Sequence, residues 1–320
     1  MSQRIDYLDI AKLIGLSLVC FCHIPLPEGD FHVWVYSFHM PLFFLLSGMF
    51  FKPESFSVKR TAMQLLVPFI LFNVLAVFMS VCVDFLLYRT LQFPNLHPMK
   101  WLMSGYAIGP SWFLLSLFCI RVFCSYAYKY GKIRTLLIVT IVLLGTFVFT
   151  ENCSVWNMLN LGSSVLGLPF YLMGYITKEY VLKYINYGGI GTTVLMAIVS
   201  LLAILNGQVG IHEHSYGNNM IAFLFFGLMG TAVLVRLSQY IRIPHKILDT
   251  FMQGALFYLC MHTLMFEYML LIWNKATGDF SGNTLLEKII VTILTFVVSY
   301  PIIRFMLKFT PIFLGKQLKK

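Results

Sequence analysis

Residues 8–25, LDIAKLIGLSLVCFCHIP, form an apolar stretch that also contains two ionisable residues, Lys12 and His23. As an α-helix, a stretch of this length nearly spans a bilayer core of about 30 Å. Three helical turns separate the two residues, so both lie on one helix face, about 16 Å apart along the axis. Ionisable groups are costly in hydrocarbon and usually face a bundle interior or a water-filled cavity. The stretch therefore predicts a membrane helix that carries part of a functional site.

The composition of the whole chain is typical of a membrane protein. Apolar residues make up 59% of the 320 residues and charged residues only 11%, with a mean hydropathy of +0.80. A soluble domain is more polar than this, and the chain has no polar stretch long enough to form one. We find no repeat, low-complexity segment or linker. The sequence predicts a single membrane domain over residues 1–320.

Apolar runs long enough to cross a bilayer recur along the chain and predict an all-α, polytopic integral membrane protein with about ten transmembrane helices. The runs cover 8–25, 33–51, 62–88, 112–128, 135–150, 162–177, 191–206, 219–237, 251–274 and 289–309. A cleaved signal peptide is not expected at the first run, because charged residues interrupt it and no small-residue cleavage pattern follows.

Basic residues predict the orientation of these helices, because cytoplasmic loops carry an excess of lysine and arginine. They are concentrated in alternate connections: Lys52, Lys59, Arg60, Lys129, Lys132, Arg134, Lys178, Lys183, Arg236, Arg242 and Lys246. Arg4 and the tail lysines belong to the same side, so both termini are predicted to be cytoplasmic. The net charge of +10 then mostly reflects topology. It indicates membrane lipids as unspecific partners and gives no support for nucleic acid.

Metal sites and disulfides are not predicted. The seven cysteines include no CxxC pair and are expected to be small buried apolar residues. His212, Glu213 and His214 form a polar cluster between two runs, which we interpret as a solvated loop, because ligands two residues apart need a special loop to converge on a metal. The longest connection on the predicted outer side, residues 89–111, is where an acceptor from outside the cytosol is expected to approach.

Several motifs resemble the membrane-bound acyltransferase-3 family, particularly its fucose-4-O-acetylase-like branch. The opening RIDYLDIAK at 4–12, followed after ten residues by His23, is similar to the start of that family, and SFHMPLFFLLSG at 37–48 is similar to its second-helix signature. LLVPF at 65–69, PSWFL at 110–114 and YLCMH at 258–262 fall where the family has comparable stretches. Lys12 departs from the arginine of many relatives and lacks the planar fork of a guanidinium.

The resemblance implies transfer of an acyl group, usually acetyl, from cytoplasmic acyl-CoA to a hydroxyl on a sugar, glycan or other small acceptor. The partners so implied are acetyl-CoA as donor and a hydroxyl-bearing acceptor, with carbohydrate the first candidate, in the cell membrane. The family often receives its acceptor on the far side of the membrane. The depth of the histidines agrees with this, since His23 and His39 both fall in the outer half and His262 lies near mid-depth.

A mechanism can be assigned to particular residues. His23 is the predicted general base, because an imidazole with an unperturbed pKa near 6.5 suits proton transfer near neutral pH. His39 and Trp112 are candidate donors to the oxyanion that forms on the thioester carbonyl. Lys12, Lys59 and Arg60 are candidate ligands of the CoA phosphates. No metal is required.

The same residues also have structural interpretations that involve no catalysis or binding. An intramembrane histidine can simply join two helices by a hydrogen bond, and His39 can instead accompany a kink at Pro41. Lys59 and Arg60 also fit a topology signal. The remaining candidates for substrate binding each have a structural alternative: Asp9 as a charge at a helix start, Trp112 as an interfacial anchor, Arg121 as a paired buried charge, and His262 and Glu267 as packing residues.

Two other classes of protein share these features. A secondary transporter or a lipid or oligosaccharide flippase also has many helices with buried ionisable residues. Such proteins often have interrupted helices at corresponding positions in two repeated halves, and we find no such repeat in this sequence. A membrane haem held by His23 and His39 is a third reading, but the chain lacks paired histidines at regular intervals on two helices.

Overall fold

The computed structural model describes residues 5–24, 29–88, 109–185, 187, 189–277 and 285–316. These residues form ten α-helices and one short hairpin, which confirms the predicted all-α class. The helices are α1 (Asp6–His23), α2 (Asp30–Met49), α3 (Val58–Tyr88), α4 (Trp112–Thr150), α5 (Leu161–Tyr184), α6 (Gly189–Leu201), α7 (Met220–Ser238), α8 (His245–Gln253), α9 (Ala255–Thr277) and α10 (Leu285–Phe309). In the hairpin, β1 (Val209–Gly210) pairs with β2 (Ser215–Tyr216) in antiparallel orientation.

The described helices make the chain a polytopic membrane protein. Six of them, α3, α4, α5, α6, α7 and α10, are long and apolar enough to cross a membrane, and the bent pair of α8 and α9 makes a seventh candidate. Each of the ten apolar runs coincides with helix, while the number of crossings stays a prediction. The segment 89–108, expected to flank the approach of an acceptor, lies outside the described residues.

Helices α1 and α2 are not among these candidate spans, because they contain more charged and polar side chains. Their position in the bundle explains how the fold tolerates these side chains. α1 packs against α2, α7, α8, α9 and α10, whereas α2 packs against α1, α5 and α7. Both helices are therefore largely enclosed by protein instead of lipid. A helix in that position can carry charged and polar side chains, because these groups face other helices or cavities and avoid hydrocarbon.

α4 contains two rods joined by a sharp break, as the two separate runs 112–128 and 135–150 predict. At the break Lys132 has a φ of 53°, which a helix interior does not allow. The two ends of α4 both contact the short helical segment Ser154–Asn160. The hydroxyl of Ser116 donates to the carbonyl of Asn160 at 3.5 Å, and the indole of Trp156 donates to the carbonyl of Thr150 at 2.9 Å. The second rod therefore folds back alongside the first.

The run 251–274 was predicted as one continuous helix, and this prediction is wrong at its start. Phe251 belongs to α8, which meets α9 at an angle of 77°. Gly254 lies at the bend, and a Cβ there would overlap the side chain of Ile303. The apolar pattern runs through the bend because residues on both sides of it pack into the same core, so periodicity gives no sign of the change in direction.

Both ends of the described chain lie at one end of the bundle, beside α8. Asp6 at the start of α1 is 3.8 Å from His245, and Lys316 donates a hydrogen bond to Gln253. This agrees with the prediction that both termini share one side of the membrane. That this side is the cytoplasmic one remains a prediction.

Candidate active site

Three histidines from three helices meet at the opposite end of the bundle. His23 closes the last turn of α1, His39 lies in the middle of α2, and His262 lies two turns into α9. The ring centroids of His23 and His262 are 5.0 Å apart, with the rings nearly perpendicular. The ring of Tyr36 connects the group, at 5.9 Å from His23 and 4.6 Å from His39. The predicted convergence of these histidines is therefore a feature of the fold.

The three histidines share one hydrogen-bonding pattern. In each, ring atom Nδ1 lies at hydrogen-bond distance from the main-chain carbonyl four residues earlier in its own helix. The carbonyls are those of Val19 (2.8 Å), Val35 (3.1 Å) and Tyr258 (2.7 Å). A carbonyl oxygen can only accept, so Nδ1 carries the proton and donates. In the neutral ring Nε2 then holds a lone pair and can accept a proton. Nε2 of His262 is buried, and none of the described residues bonds to it.

Two adjoining cavities border this cluster and share five lining residues: His23, Tyr36, Val209, Gly210 and Glu213. The smaller, of about 50 Å³, also touches His39 and Trp112. The larger has a volume of about 420 Å³ and extends toward the hairpin. His23 lines both cavities, so a molecule in the larger cavity can contact its imidazole.

The hairpin and its turn cover this end of the bundle. The ring of His212 stacks on Trp112 at 5.1 Å with an interplanar angle of 14°, and the ring of His214 meets the edge of Phe147 at 6.0 Å. Nδ1 of His212 and Nε2 of His214 are buried. The interpretation of this cluster as a solvated loop is therefore wrong for His212 and His214, because both pack on aromatic rings. It holds for Glu213, which is exposed.

Burial also determines the charge of these two imidazoles. Desolvation lowers the pKa of His212 below its usual value, and the neighbouring Glu213 carboxylate opposes this in part. Desolvation likewise lowers the pKa of His214, with His212 adding to the effect and Glu213 opposing it. Both rings are thus neutral at neutral pH and do not cancel the charge of Glu213. Among the described residues, no group of three or more histidine, cysteine or acidic side chains is arranged so that it could hold a metal ion.

Lys12 lies at the other end of α1, away from the histidines. Its ammonium is 3.1 Å from the Asp9 carboxylate and 5.2 Å from the ring centroid of Phe50. The ammonium of Lys178 approaches the same ring at 5.8 Å. Two cations on one aromatic ring form a cluster that favours an anion, and sequence reasoning had assigned Lys178 to topology alone.

The remaining predicted residues do not join either cluster. Arg121 donates to the hydroxyl of Ser47 at 3.0 Å, in the last turn of α2 and three residues before Phe50. Lys59 and Arg60 are exposed at the start of α3. Glu267 is exposed, and neither cavity includes it in the described lining.

Sequence reasoning missed two ring-bearing residues at the site, His32 and Tyr36. Their ring centroids are 4.0 Å apart, and both line the larger cavity. The signal was present, because residues 32, 36 and 39 are spaced by four and three and so share one helix face. This polar stripe on an otherwise apolar helix could have been found from the sequence.

Comparison with known proteins gives one result. Residues 5–304 match the acyltransferase domain of the acyltransferase-3 family. No curated protein matches the chain, and no solved structure matches it. The matched region includes all three histidines and Lys12, and it supports acyl transfer over transport or haem ligation. Since the match covers nearly the whole chain, the protein belongs to the acyltransferase-3 family and is a membrane acyltransferase.

Proposed function

We propose that this protein transfers an acetyl group from acetyl-CoA to a hydroxyl of a sugar, glycan or other small carbohydrate acceptor. The observation that carries the proposal is the pair of separate clusters at the two ends of α1. Cations surround Phe50 at one end, and imidazoles with available Nε2 atoms border cavities at the other. An enzyme that joins an anionic donor to a neutral hydroxyl needs both kinds of site.

The donor is assigned to the end with Lys12. Ammonium groups suit phosphate as point charges, so Lys12 and Lys178 would neutralise phosphates of CoA while Asp9 holds Lys12 in place. A donor anchored there must extend about 16 Å along α1 to bring its thioester beside His23. The flexible pantetheine arm of CoA serves this purpose. Lys59 and Arg60 remain candidates for the parts of CoA outside the bundle.

The acceptor is assigned to the larger cavity, and His23 to the role of general base. Nε2 of His23 takes the proton of the acceptor hydroxyl while the hydroxyl oxygen attacks the thioester carbonyl carbon. The carbon–sulfur bond then breaks, and the imidazolium returns the proton to the departing thiolate. The products are the ester and free CoA.

The hydrogen-bonding pattern also refines the expected oxyanion donors. A neutral His39 presents a lone pair at Nε2, so it would accept a hydrogen bond from the acceptor and not donate one to an oxyanion. Trp112 lines the smaller cavity, and its indole N–H, which can only donate, is the better candidate for this role. His39 and His262 would then orient hydroxyl groups of the acceptor.

The proposal is tested by measuring free CoA released from acetyl-CoA by the purified protein in detergent. We expect release to rise when neutral sugars or glycans are added, and mass spectrometry to recover the sugar with one acetyl group. If release stays at the rate without acceptor for every carbohydrate supplied, a carbohydrate acceptor is wrong.

A further inference from the structure

The larger cavity has a strongly polar lining on one side. His23, His32, Tyr36, Gln208, Glu213 and Ser215 all border it. They come from α1, α2 and the hairpin, so three separate parts of the chain place hydrogen-bonding groups around one space of about 420 Å³. A volume of this order lies in the range of small-molecule sites. The mixture of amide, hydroxyl, imidazole and carboxylate groups suits a ligand rich in hydroxyls.

The charge of this lining has one sign. Glu213 supplies a carboxylate to the described lining, which contains no lysine or arginine. Among the described residues, no cation forms an ion pair with Glu213. Lys288 approaches this region, but its ammonium lies over the ring of Phe21 at 5.0 Å and is not part of the described lining. Because His212 and His214 are neutral, the described residues leave the Glu213 carboxylate without an ion-paired lysine or arginine.

The hairpin also holds the carboxylate in position. Glu213 lies in the turn between β1 and β2, and its Oε2 occupies the space beside Gly210 where any other residue would have a Cβ. Gly210 lines both cavities together with Glu213. The absence of a side chain at position 210 thus lets the carboxylate fold back against the strand at the cavity edge.

We propose that Glu213 determines acceptor specificity by selecting neutral, hydroxyl-rich acceptors and rejecting acceptors that carry a carboxylate or phosphate. The inference rests on the proposed function and names the acceptor class. A carboxylate only accepts hydrogen bonds, so it pairs with hydroxyl donors of a neutral sugar. The same charge repels an anion in the cavity, and such repulsion is a common means of excluding wrong ligands.

The test compares acceptors that differ in charge alone. Methyl glycosides of uronic acids in the gluco, galacto and manno configurations are compared with their uronamides, which keep the same ring hydroxyls and nearly the same shape. For the wild type we expect kcat/KM to be roughly tenfold or more higher for a uronamide than for its uronate, the size of effect that two like charges a few ångströms apart produce. Glu213→Gln should bring this ratio close to one, and Glu213→Arg should reverse it.

A matched control and a donor measurement identify the cause. Glu151 is a second carboxylate at this end of the bundle, bonded to the hydroxyl of Tyr216 at 3.0 Å and absent from the described lining of both cavities. Glu151→Gln should keep the wild-type ratio. The KM for acetyl-CoA should be unchanged in every variant, which also shows that each one folds.

Each outcome bears on a different claim. A wild-type ratio near one, a preference for the uronate, or a ratio that Glu213→Gln leaves unchanged overturns the role of Glu213 while transfer itself stands. If no acceptor of either kind raises CoA release above the rate without acceptor, the proposed function fails and this inference fails with it.

Discussion

At the scale of single residues, three imidazoles in one hydrogen-bonding state define the chemistry that this site can perform. Because each Nδ1 is bound to a helix carbonyl, the cluster offers proton acceptors at Nε2. His23 differs from the other two in position, since it borders both cavities whereas His39 borders only the smaller one in the described lining. Of the three clustered histidines, it is therefore the one that an acceptor hydroxyl in the larger cavity can reach.

Replacing His23 tests its role as a base. His23→Ala should lower kcat by about 10²- to 10⁴-fold, the usual contribution of a general base, with the protein still folded. The control is His245→Ala, which removes an exposed histidine at the opposite end of the bundle. Turnover is measured in detergent with saturating acetyl-CoA. Near-normal turnover of His23→Ala would remove this residue from the mechanism.

The cations around Phe50 give a second prediction. Lys12→Ala and Lys178→Ala should each weaken acetyl-CoA binding and leave acceptor binding unaffected, because the proposed phosphate and hydroxyl sites lie at opposite ends of α1. Lys12→Arg should retain affinity, since charge matters more here than the shape of the cationic group. Isothermal titration calorimetry measures the donor affinity. Lys183→Ala, a change at an exposed lysine of the same helix as Lys178, should have no effect.

Wild-type affinity of both Lys12→Ala and Lys178→Ala would contradict the donor assignment. The sequence predicted Lys12 from its spacing to His23, because both lie on a single helix whose geometry is regular. Lys178 could not be recognised in this way. Its approach to Phe50 depends on how α5 packs against α2, which local spacing does not specify.

At the scale of helices, α2 and α5 approach so closely that their backbones touch. A Cβ added at Gly48 of α2 would overlap the carbonyl of Tyr171, and one added at Gly174 of α5 would overlap the carbonyl of Leu45. The contact is reciprocal, since each helix supplies a glycine against the main chain of the other. Small residues at such interfaces allow close packing in membranes, where the hydrophobic effect does not drive helices together.

Gly48→Ala and Gly174→Ala should each lower thermal stability, because a main-chain carbonyl cannot move aside as a flexible side chain can. Gly145→Ala is the control: it is also a glycine within a helix, but no atom lies within 4 Å of an added Cβ. There the loss of backbone freedom in the unfolded chain should stabilise the protein by about 0.5–1 kcal/mol. Melting temperatures in detergent compare the three variants. Equal stability of all three would show that the close approach is not needed.

The sequence predicted the helices better than the contacts between them. Each apolar run located helix among the described residues, and the basic residues at 129–134 marked the turn inside α4, but the first residues of α8 lie outside every predicted run. The bend at Gly254 and the packing of the hairpin histidines were not predicted. Both depend on residues far away in the chain, Ile303 in one case and Trp112 and Phe147 in the other.

At the scale of the whole molecule, the proposed donor and acceptor sites lie at opposite ends of one bundle. The excess of basic residues predicts that the end with Lys12 faces the cytoplasm. Oriented proteoliposomes with acetyl-CoA on that side and a neutral sugar on the other should therefore form product. The control reverses the two compartments and should give none. Product only when both substrates share the cytoplasmic side would refute transfer across the membrane, and acyl transfer as such would stand.

The meeting of both ends of the described chain at α8 has a consequence for how the fold can be rearranged. Asp6 and Lys316 contact His245 and Gln253, the first and last residues of a helix only about 12 Å long. A short flexible linker spans such a distance. A circularly permuted chain with new ends opened at the break near Lys132 should keep all three histidines together and still release CoA, because the order of the segments along the chain is not what brings them into contact.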